Sequence, residues 1–326
     1  MSSKKVLVVA GPTASGKSDL GIVLAKALRG EIVSADSMQI YRGMDIGTAK
    51  ATREQQSAVP HHMIDVADPM EDYSVSRYVE DAAACCEDIF TRGRIPILVG
   101  GTGLYIDSLL SGRSFGPRSE DNLLRAALNE KYDALGGDRL LSELRQIDPD
   151  RAALLHPSDK KRIVRALEVY KLTGETITAH DEATRALPPR YASLFLIPGF
   201  HDRALLYQRI DARVDIMVRQ GLFDEVQSLL LSGVSSEATS MQAIGYKEVV
   251  AALQGSISRE DAVASIKQAS RRYAKRQITW FRRRTDACRI WYDEPHPSLS
   301  PADTALLSAK KFLENPYFCP EAAAFC

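Results

Sequence analysis

A glycine-rich octapeptide near the start of the chain has the composition of a phosphate-binding loop. Residues 11–18 read GPTASGKS and fit the pattern G-x-x-x-x-G-K-[ST]. A β-branched run precedes the loop and a helical pattern follows it. In such a loop the backbone N–H groups surround a phosphate, the lysine adds a positive charge and the last hydroxyl can hold Mg²⁺. We therefore predict a phosphate site formed by Gly11, Pro12, Thr13, Ala14, Ser15, Gly16, Lys17 and Ser18.

One acidic side chain is expected beside this loop. An ordinary P-loop NTPase has a carboxylate at the end of an apolar strand, but the strand predicted at 95–99 ends in Gly100-Gly101. This departure argues against simple ATP hydrolysis. The strand predicted at 31–35 ends beside Asp36, and ligands gather at the carboxyl ends of parallel strands. Asp36 is suited to hold Mg²⁺ through water or to accept a proton, or alternatively to cap a turn.

Basic residues cluster in two further segments. Residues 271–284 contain seven basic residues and no acidic one, with aromatic residues between them. This one-sign run favours contact with nucleic acid over a solvated helix face that packs an apolar stripe in the core. A second basic turn lies at 160–165, where a predicted helix begins. Arg209 and Arg213 share a helix face and are candidates to clamp a pyrophosphate, although Asp211 and Asp215 allow an ion-paired surface equally well.

The elements that must position these residues alternate between strand and helix at both ends of the chain. This pattern predicts an α/β fold, a parallel P-loop sheet with helices on both faces. Between about 115 and 190 the signals are almost wholly helical. We therefore predict a catalytic core formed by 1–114 and 191–326, interrupted by an all-helical insertion at 115–190.

The composition excludes several classes of protein. The 326 residues include 42 basic and 42 acidic residues, so the net charge is zero, and 45% are apolar, which is typical of a globular protein. No apolar run is long enough to cross a bilayer, so we expect no contact with a membrane. The five cysteines are odd in number and lack a CxxC pair. They argue against a disulfide framework and for a reducing cytoplasm.

Eight motifs in this order resemble the tRNA dimethylallyltransferase (tRNA isopentenyltransferase) family of bacterial type. They lie at positions 11–18, 35–50, 60–69, 93–105, 155–170, 209–222, 241–248 and 275–282. The resemblance implies transfer of a dimethylallyl group from dimethylallyl diphosphate to the exocyclic amine, N6, of the adenosine 3′ to the anticodon. The loop would then hold the diphosphate of the prenyl donor rather than ATP. The implied cofactor is Mg²⁺, the partner is the anticodon stem-loop of tRNA, and we expect a monomer.

The resemblance also assigns roles to particular residues. Asp36 matches the general base, whereas Thr13 and Arg213, together with Lys17 and Ser18, match residues around the diphosphate and Mg²⁺, with Ser18 as the metal ligand. The segments matched to tRNA contacts contain Asp36, Ser37, Met38, Gln39, Thr102, Arg125, Lys161, Arg162, Arg165, Gln242, Gly245, Tyr246, Lys247, Lys275, Arg276, Gln277, Trp280 and Arg282.

The chain departs from the family pattern at two points. Some relatives have Arg-Cys where this chain has Gln242-Ala243, a change that bears on an RNA contact. The tail after about residue 285 lacks the Cys and His spacing of relatives with a zinc finger, so no zinc is expected.

Three other functions stay open at this point. A small-molecule P-loop kinase would explain 1–112 but not the basic clusters. An adenylate isopentenyltransferase would need no such basic surface, because its acceptor is a free nucleotide. An RNA-binding module without catalysis would have Asp36 directed away from the loop.

Overall fold

The computed structural model describes residues 4–112, 123–185, 187–294 and 298–315. Its contacts divide the chain into two compact units. The first combines Met1–Leu110 with Tyr191–Cys326, and the second is Ser111–Arg190.

A parallel sheet forms the centre of the first unit. The described residues contain six strands in the order β3-β2-β4-β1-β5-β6, and every neighbouring pair is parallel. The strands are β1 (Lys5–Ala10), β2 (Gly30–Ser34), β3 (His61–His62), β4 (Ile95–Gly100), β5 (Ala192–Gly199) and β6 (Cys288–Trp291). The predicted α/β class is therefore confirmed.

Helices connect and cover these strands. In chain order they are α1 (Lys17–Leu28), α2 (Arg53–Ala58), α3 (Val75–Thr91), α4 (Gly103–Ser111), α5 (Leu123–Leu135), α6 (Gly137–Ile147), α7 (Pro149–Ala153), α8 (Lys160–Thr173), α9 (Ile177–Arg185), α10 (Arg203–Arg219), α11 (Leu222–Leu231), α12 (Tyr246–Leu253), α13 (Arg259–Phe281) and α14 (Pro301–Glu314). None of the helices in the described ranges is long and apolar enough to cross a membrane.

The alternating side chains of the strands explain the packing of the sheet. Leu7, Val9 and Ile97 face a buried cluster that also contains Leu24 of α1 and Phe312 of α14. Successive side chains of a strand point to opposite faces, and both faces of an all-parallel sheet are covered by helices. The central strands are accordingly continuous apolar runs, which is how β1 and β4 were recognisable in the sequence.

The second unit consists of α5 to α9. Leu140 and Leu144 of α6 pack against Ile163 and Leu167 of α8, together with Leu128 of α5. The four-residue spacing of each leucine or isoleucine pair places it on one helix face. The core of this unit is therefore separate from that of the sheet.

The structure differs from the sequence-based expectations in a few elements. Strands β3 and β6 were not predicted, because they have two and four residues and carry no clear alternation. Helix α13 ends at Phe281, so the last three residues of the basic segment 271–284 follow the helix. Cys85 and Cys86 are free thiols. The sequence argued against a disulfide framework, and Cys288 is a disulfide-bonded cysteine among the described residues.

Candidate active site

The predicted phosphate loop joins the end of β1 to the start of α1. Gly16 takes a left-handed φ of 87° just before the helix, a conformation that suits glycine. The Lys17 ammonium donates to the carbonyl oxygen of Pro12 at 2.5 Å. The Ser15 hydroxyl is buried and has no hydrogen-bond partner among the described residues. A buried polar group without a hydrogen-bond partner destabilises the protein. The Ser15 hydroxyl is therefore a donor that could bind an anion in this loop.

Two cations share the electrostatic environment of the loop. The pKa of Lys17 is lowered to about 7, mainly by burial and next by the neighbouring Arg213, while Asp36 acts in the opposite direction. Burial also lowers the pKa of Arg213, again against the charge of Asp36. A bound anion would favour the charged form of both side chains. The described residues therefore place two cationic side chains beside the loop, with Asp36 as a partial counter-charge.

Asp36 directly follows β2 and stabilises the turn after it. Its Oδ1 accepts the N–H of Met38 at 2.9 Å and that of Gln39 at 3.4 Å. Its Oδ2 accepts no hydrogen bond from the described residues. Oδ1 of Asp36 thus caps the turn, as one alternative predicted, while Oδ2 is available to accept a proton.

Two cavities meet at Asp36. The larger, here the Asp36 cavity, has a volume of about 280 Å³ and is lined by Thr13, Asp36, Arg213, Tyr273 and Arg276 among others. The smaller, here the Lys17 cavity, has a volume of about 50 Å³ and is lined by Lys17, Ser18, Ser34, Asp36 and Gln39 among others. Asp36 therefore lies between the phosphate loop and a space that contains further cationic and aromatic side chains.

One buried amide connects the phosphate loop to α13. Gln277 accepts the backbone N–H of Thr13 at 2.9 Å through Oε1 and donates to the carbonyl oxygen of Gly101 at 3.1 Å through Nε2. A Cβ on Gly101 would lie 2.1 Å from that Nε2, so only glycine allows this approach. The sequence predicted a tRNA contact for Gln277, but the structure gives it an internal role. The predicted tRNA contact of Gln277 stays a prediction beside this internal role.

The remaining charged residues of α13 have different surroundings. Arg271 pairs with Asp211 at 2.5 Å and Lys267 with Asp215 at 2.6 Å, both on α10. Arg209 instead donates to the carbonyl oxygen of Ala14 at 3.0 Å. Asp211 and Asp215 therefore pair with residues of α13 rather than with Arg209 and Arg213. The two arginines lie near the phosphate loop instead. Among the other basic residues of the helix, Arg272, Lys275 and Arg276 are exposed.

The exposed aromatic residue of α13 is held in a fixed position. Trp280 is 40% exposed, and its ring N–H donates to Oδ2 of Asp107 at 2.9 Å. Arg284 donates to the other oxygen of the same carboxylate at 2.5 Å. A fixed, exposed indole next to cationic side chains is suited to stacking on a base. The predicted tRNA contact of Trp280 stays a prediction that this geometry favours, as do those of the exposed Lys275, Arg276 and Arg282.

The predicted tRNA contacts near Asp36 and α12 divide into two groups. Ser37, Met38, Gln242 and Gly245 line the Asp36 cavity, whereas Lys247 is exposed. Gln39 donates to the carbonyl oxygens of Thr48 and Ala49, Thr102 accepts the N–H of Ser37, and Tyr246 has no exposed surface. The side chains of this second group bind other parts of the protein. Gln39, Thr102 and Tyr246 therefore have structural roles, and their predicted tRNA contacts stay predictions.

In the helical unit, two of the predicted tRNA-binding arginines meet a buried carboxylate. Arg125 and Arg165 each donate to Oε2 of Glu168 at 2.7 Å. Burial alone would raise the pKa of Glu168, but these hydrogen bonds outweigh it and lower the pKa. Arg125 and Arg165 thus have a structural role, but both side chains stay partly exposed and their predicted tRNA contacts stay predictions. Lys161 and Arg162 are exposed at the start of α8, where the predicted contact stays open.

We expect Arg125→Ala to lower the free energy of unfolding by about 1–3 kcal/mol, because Glu168 would lose a charged partner in a buried position. Urea denaturation followed by circular dichroism measures this. Lys161→Ala is the matched control and should leave stability nearly unchanged. Weaker tRNA binding by Arg125→Ala at unchanged stability would instead support the tRNA contact that the sequence predicted.

Several residues at the site were not recognisable in the sequence as functional. Asp107 fixes Trp280, and Glu225 holds a loop beside the Asp36 cavity. Tyr292 lies so close to the phosphate loop that a Cβ on Gly16 would be 3.2 Å from its hydroxyl. Each of the three residues contacts a partner more than 150 positions away in the sequence, so no local motif predicts its role.

Comparisons with known proteins agree on one family. The sequence pattern described as IPP transferase matches residues 39–284, and the pattern described as isopentenyl transferase matches residues 4–65. The chain is 48% identical over 278 residues to the tRNA dimethylallyltransferase of Pelotomaculum thermopropionicum, covering 85% of this chain and 88% of that protein. It is 44% identical over 279 residues to the enzyme of the same name from Thermoanaerobacter sp. strain X514, covering 85% and 89%.

Solved structures give the same result. The full-length tRNA isopentenylpyrophosphate transferase of Bacillus halodurans matches with a TM-score of 0.68 and 39% identity, covering 96% of both chains. A eukaryotic dimethylallyltransferase studied in the act of modifying tRNA matches with a TM-score of 0.84 and 30% identity, covering 96% of this chain and 80% of that one.

Proposed function

Because the chain belongs to the IPP transferase family and is a tRNA dimethylallyltransferase, we propose that its described residues transfer the dimethylallyl group within the Asp36 cavity. The acceptor in this proposal is N6 of the adenosine 3′ to the anticodon. The observation that carries the proposal is the position of Asp36, which borders both the Asp36 cavity and the Lys17 cavity.

The phosphate loop supplies the site for the leaving group. When the C1–O bond of the allylic diphosphate breaks, negative charge grows on the diphosphate. Lys17, Arg213 and the hydroxyl of Ser15 lie beside or within the loop that would receive it, and preorganised charge of this kind stabilises the transition state. Thr13 lines the Asp36 cavity and contacts the donor in this proposal.

Asp36 is the proton acceptor in this proposal. As the bond between N6 and C1 forms, the amine loses a proton to Oδ2 of Asp36, the oxygen that caps no turn. The adenine must leave the base stack of the anticodon loop to reach this carboxylate, which costs a few kcal/mol. Contacts of the exposed basic residues of α13 with tRNA phosphates offset that cost, and Trp280 offers a stacking surface.

Residues around the Lys17 cavity suit Mg²⁺. The cavity is lined by oxygen-bearing side chains, including those of Ser18 and Asp36, and hard cations prefer oxygen ligands. No cluster of three or more His, Cys, Asp or Glu occurs in the described ranges, so the protein would supply few ligands and the diphosphate the rest. A bound Mg²⁺ would neutralise charge on the diphosphate as it leaves.

We expect Ser18→Ala to raise the Mg²⁺ concentration for half-maximal transfer by about 10–100-fold, the range seen when a residue supporting a metal site is removed. A titration of Mg²⁺ after chelation measures this. Ser18→Thr keeps the hydroxyl and should behave like the unaltered enzyme. An unchanged Mg²⁺ requirement in Ser18→Ala would remove Ser18 from the site.

The exposed basic face of α13 gives a separate test. Lys275→Ala should weaken tRNA binding and reduce the slope of log K against log salt by about 1, because one phosphate contact is lost. Anisotropy titrations with labelled tRNA at several salt concentrations measure the slope. Lys310→Ala, an exposed lysine on α14, is the control. Equal slopes in both variants would contradict a role for Lys275.

One assay tests the proposal as a whole. The purified protein is given labelled dimethylallyl diphosphate, Mg²⁺ and either unmodified tRNA, the same tRNA with guanosine 3′ to the anticodon, or free adenine nucleotides. Label should enter only the unmodified tRNA. Label in free nucleotides would indicate an adenylate isopentenyltransferase, and phosphoryl transfer from ATP would indicate a kinase.

We propose that the protein is located in the cytoplasm, because tRNA is the substrate. We also propose a monomer, because one chain supplies all residues of the proposed site.

A further inference from the structure

One carboxylate outside the predicted motifs holds the loop that follows the Asp36 turn. Glu225, on α11, accepts the backbone N–H groups of Asp45, Ile46 and Gly47 at 2.9, 2.7 and 3.1 Å. Hydrogen bonds to an ionised acceptor are stronger than those between neutral groups. Three successive amides therefore depend on a single side chain that lies almost 180 positions away in the sequence.

The same carboxylate also reaches the start of α12. The hydroxyl of Tyr246 donates to Oε1 of Glu225 at 2.6 Å, and the tyrosine is fully buried. Burial and the negative charge of Glu225 both raise the pKa of Tyr246, so this phenol stays protonated and remains a donor. Glu225 therefore links the loop at 45–47 to the first residue of α12.

Both linked segments form walls of the Asp36 cavity. Gly47, Thr48 and Ala49 line it on the loop side, and residues 242–245 line it immediately before α12. The loop packs so tightly on Tyr246 that a Cβ on Gly47 would lie 2.5 Å from its ring. Gln39 donates to the carbonyl oxygens of Thr48 and Ala49, which connects the loop back to the turn capped by Asp36.

We propose that Glu225 is a positioning residue for the transfer reaction. It fixes the separation of two walls of the Asp36 cavity and thereby aligns the acceptor amine with Asp36 and the prenyl carbon. This inference rests on the proposed function of the cavity. A misplacement of about 1 Å can slow a reaction by about 100-fold, even when the altered residue does not touch the reacting atoms.

Glu225→Gln tests the inference. The amide keeps the size of the side chain but loses the charge and one acceptor oxygen. We expect the single-turnover rate at saturating substrates to fall by about 10–100-fold, with donor KM and tRNA Kd near those of the unaltered enzyme. Amide hydrogen exchange should accelerate at Asp45, Ile46 and Gly47. Asp224→Asn removes a neighbouring exposed carboxylate on the same helix turn. It should change neither the single-turnover rate nor the amide exchange at residues 45–47.

Tyr246→Phe provides a second variant that removes only the bond to α12. Its rate should fall less than that of Glu225→Gln, because the three amides keep their acceptor. A full rate in both variants would overturn the inference. So would an equal loss of rate and binding with faster exchange throughout the chain, since that outcome means general destabilisation.

The same experiments separate this inference from the proposed function. If the unaltered enzyme modifies tRNA and Glu225→Gln does so equally well, only the inference fails. If the unaltered enzyme modifies no tRNA, the proposed function fails. Hydrogen exchange then decides whether Glu225 holds the loop: faster exchange confined to Asp45–Gly47 supports that role, and unchanged exchange overturns it.

Discussion

Asp36→Asn will lower the turnover number by about 10²–10⁴-fold, the usual contribution of a general base, while tRNA affinity stays nearly unchanged. The asparagine keeps an Oδ1 that can accept the N–H groups of Met38 and Gln39, so the turn after β2 remains. What it loses is the ability to accept a proton at the second oxygen. Single-turnover kinetics with saturating donor, together with anisotropy titrations of tRNA, measure the two quantities.

Asp36→Ala serves as the comparison, because it removes both the base and the turn acceptor. If Asp36 acts only through the turn, the alanine variant should lose activity and the asparagine variant should retain it. Equal losses of turnover and tRNA affinity in Asp36→Asn would also contradict the base assignment, because they would place the effect in binding.

Lys17→Met will lower kcat/KM for dimethylallyl diphosphate by about 10²–10³-fold, because a preorganised cation no longer meets the charge that grows on the leaving group. Methionine has a similar length and no charge. The lowered pKa of Lys17 means that its buried ammonium destabilises the free protein. The variant should therefore melt at the same temperature as the unaltered protein or higher, although it is less active.

Lys17→Arg is the control for this substitution. It keeps the charge but changes its geometry, so it should lie between the unaltered enzyme and Lys17→Met. Isothermal titration with inorganic diphosphate measures the binding part of the effect. Undiminished diphosphate binding by Lys17→Met would contradict the assignment of the loop to the leaving group.

The sequence was informative wherever a local pattern reports a local structure. The central strands β1 and β4 are buried on both faces and so appear as apolar runs, and the phosphate loop is defined by its own glycines and Lys17. The location of Asp36 followed from a general property of parallel sheets rather than from its neighbours. These parts of the fold and site could be predicted because short-range pattern and topology determine them.

The sequence was uninformative where a side chain meets a partner far along the chain. Arg125 has the residue type of an RNA contact, and no local pattern indicates its hydrogen bond to Glu168, 43 positions away. Tyr246 stands in a motif that resembles tRNA-contacting segments, yet it is buried and bonds to Glu225. Sequence type alone does not tell whether an arginine or tyrosine faces solvent or an internal carboxylate, because tertiary packing decides it.

The bridge formed by Gln277 connects the surface proposed for tRNA to the loop proposed for the diphosphate. The same helix presents Lys275 and Trp280 to the exterior and holds the Thr13 amide of the phosphate loop through Gln277. A small displacement of α13 on docking of the anticodon arm would therefore be transmitted to the loop that receives the diphosphate. Because thermodynamic linkage is reciprocal, any factor by which bound tRNA changes donor affinity is also the factor by which the bound donor changes tRNA affinity. Removal of this one amide side chain is expected to weaken that coupling.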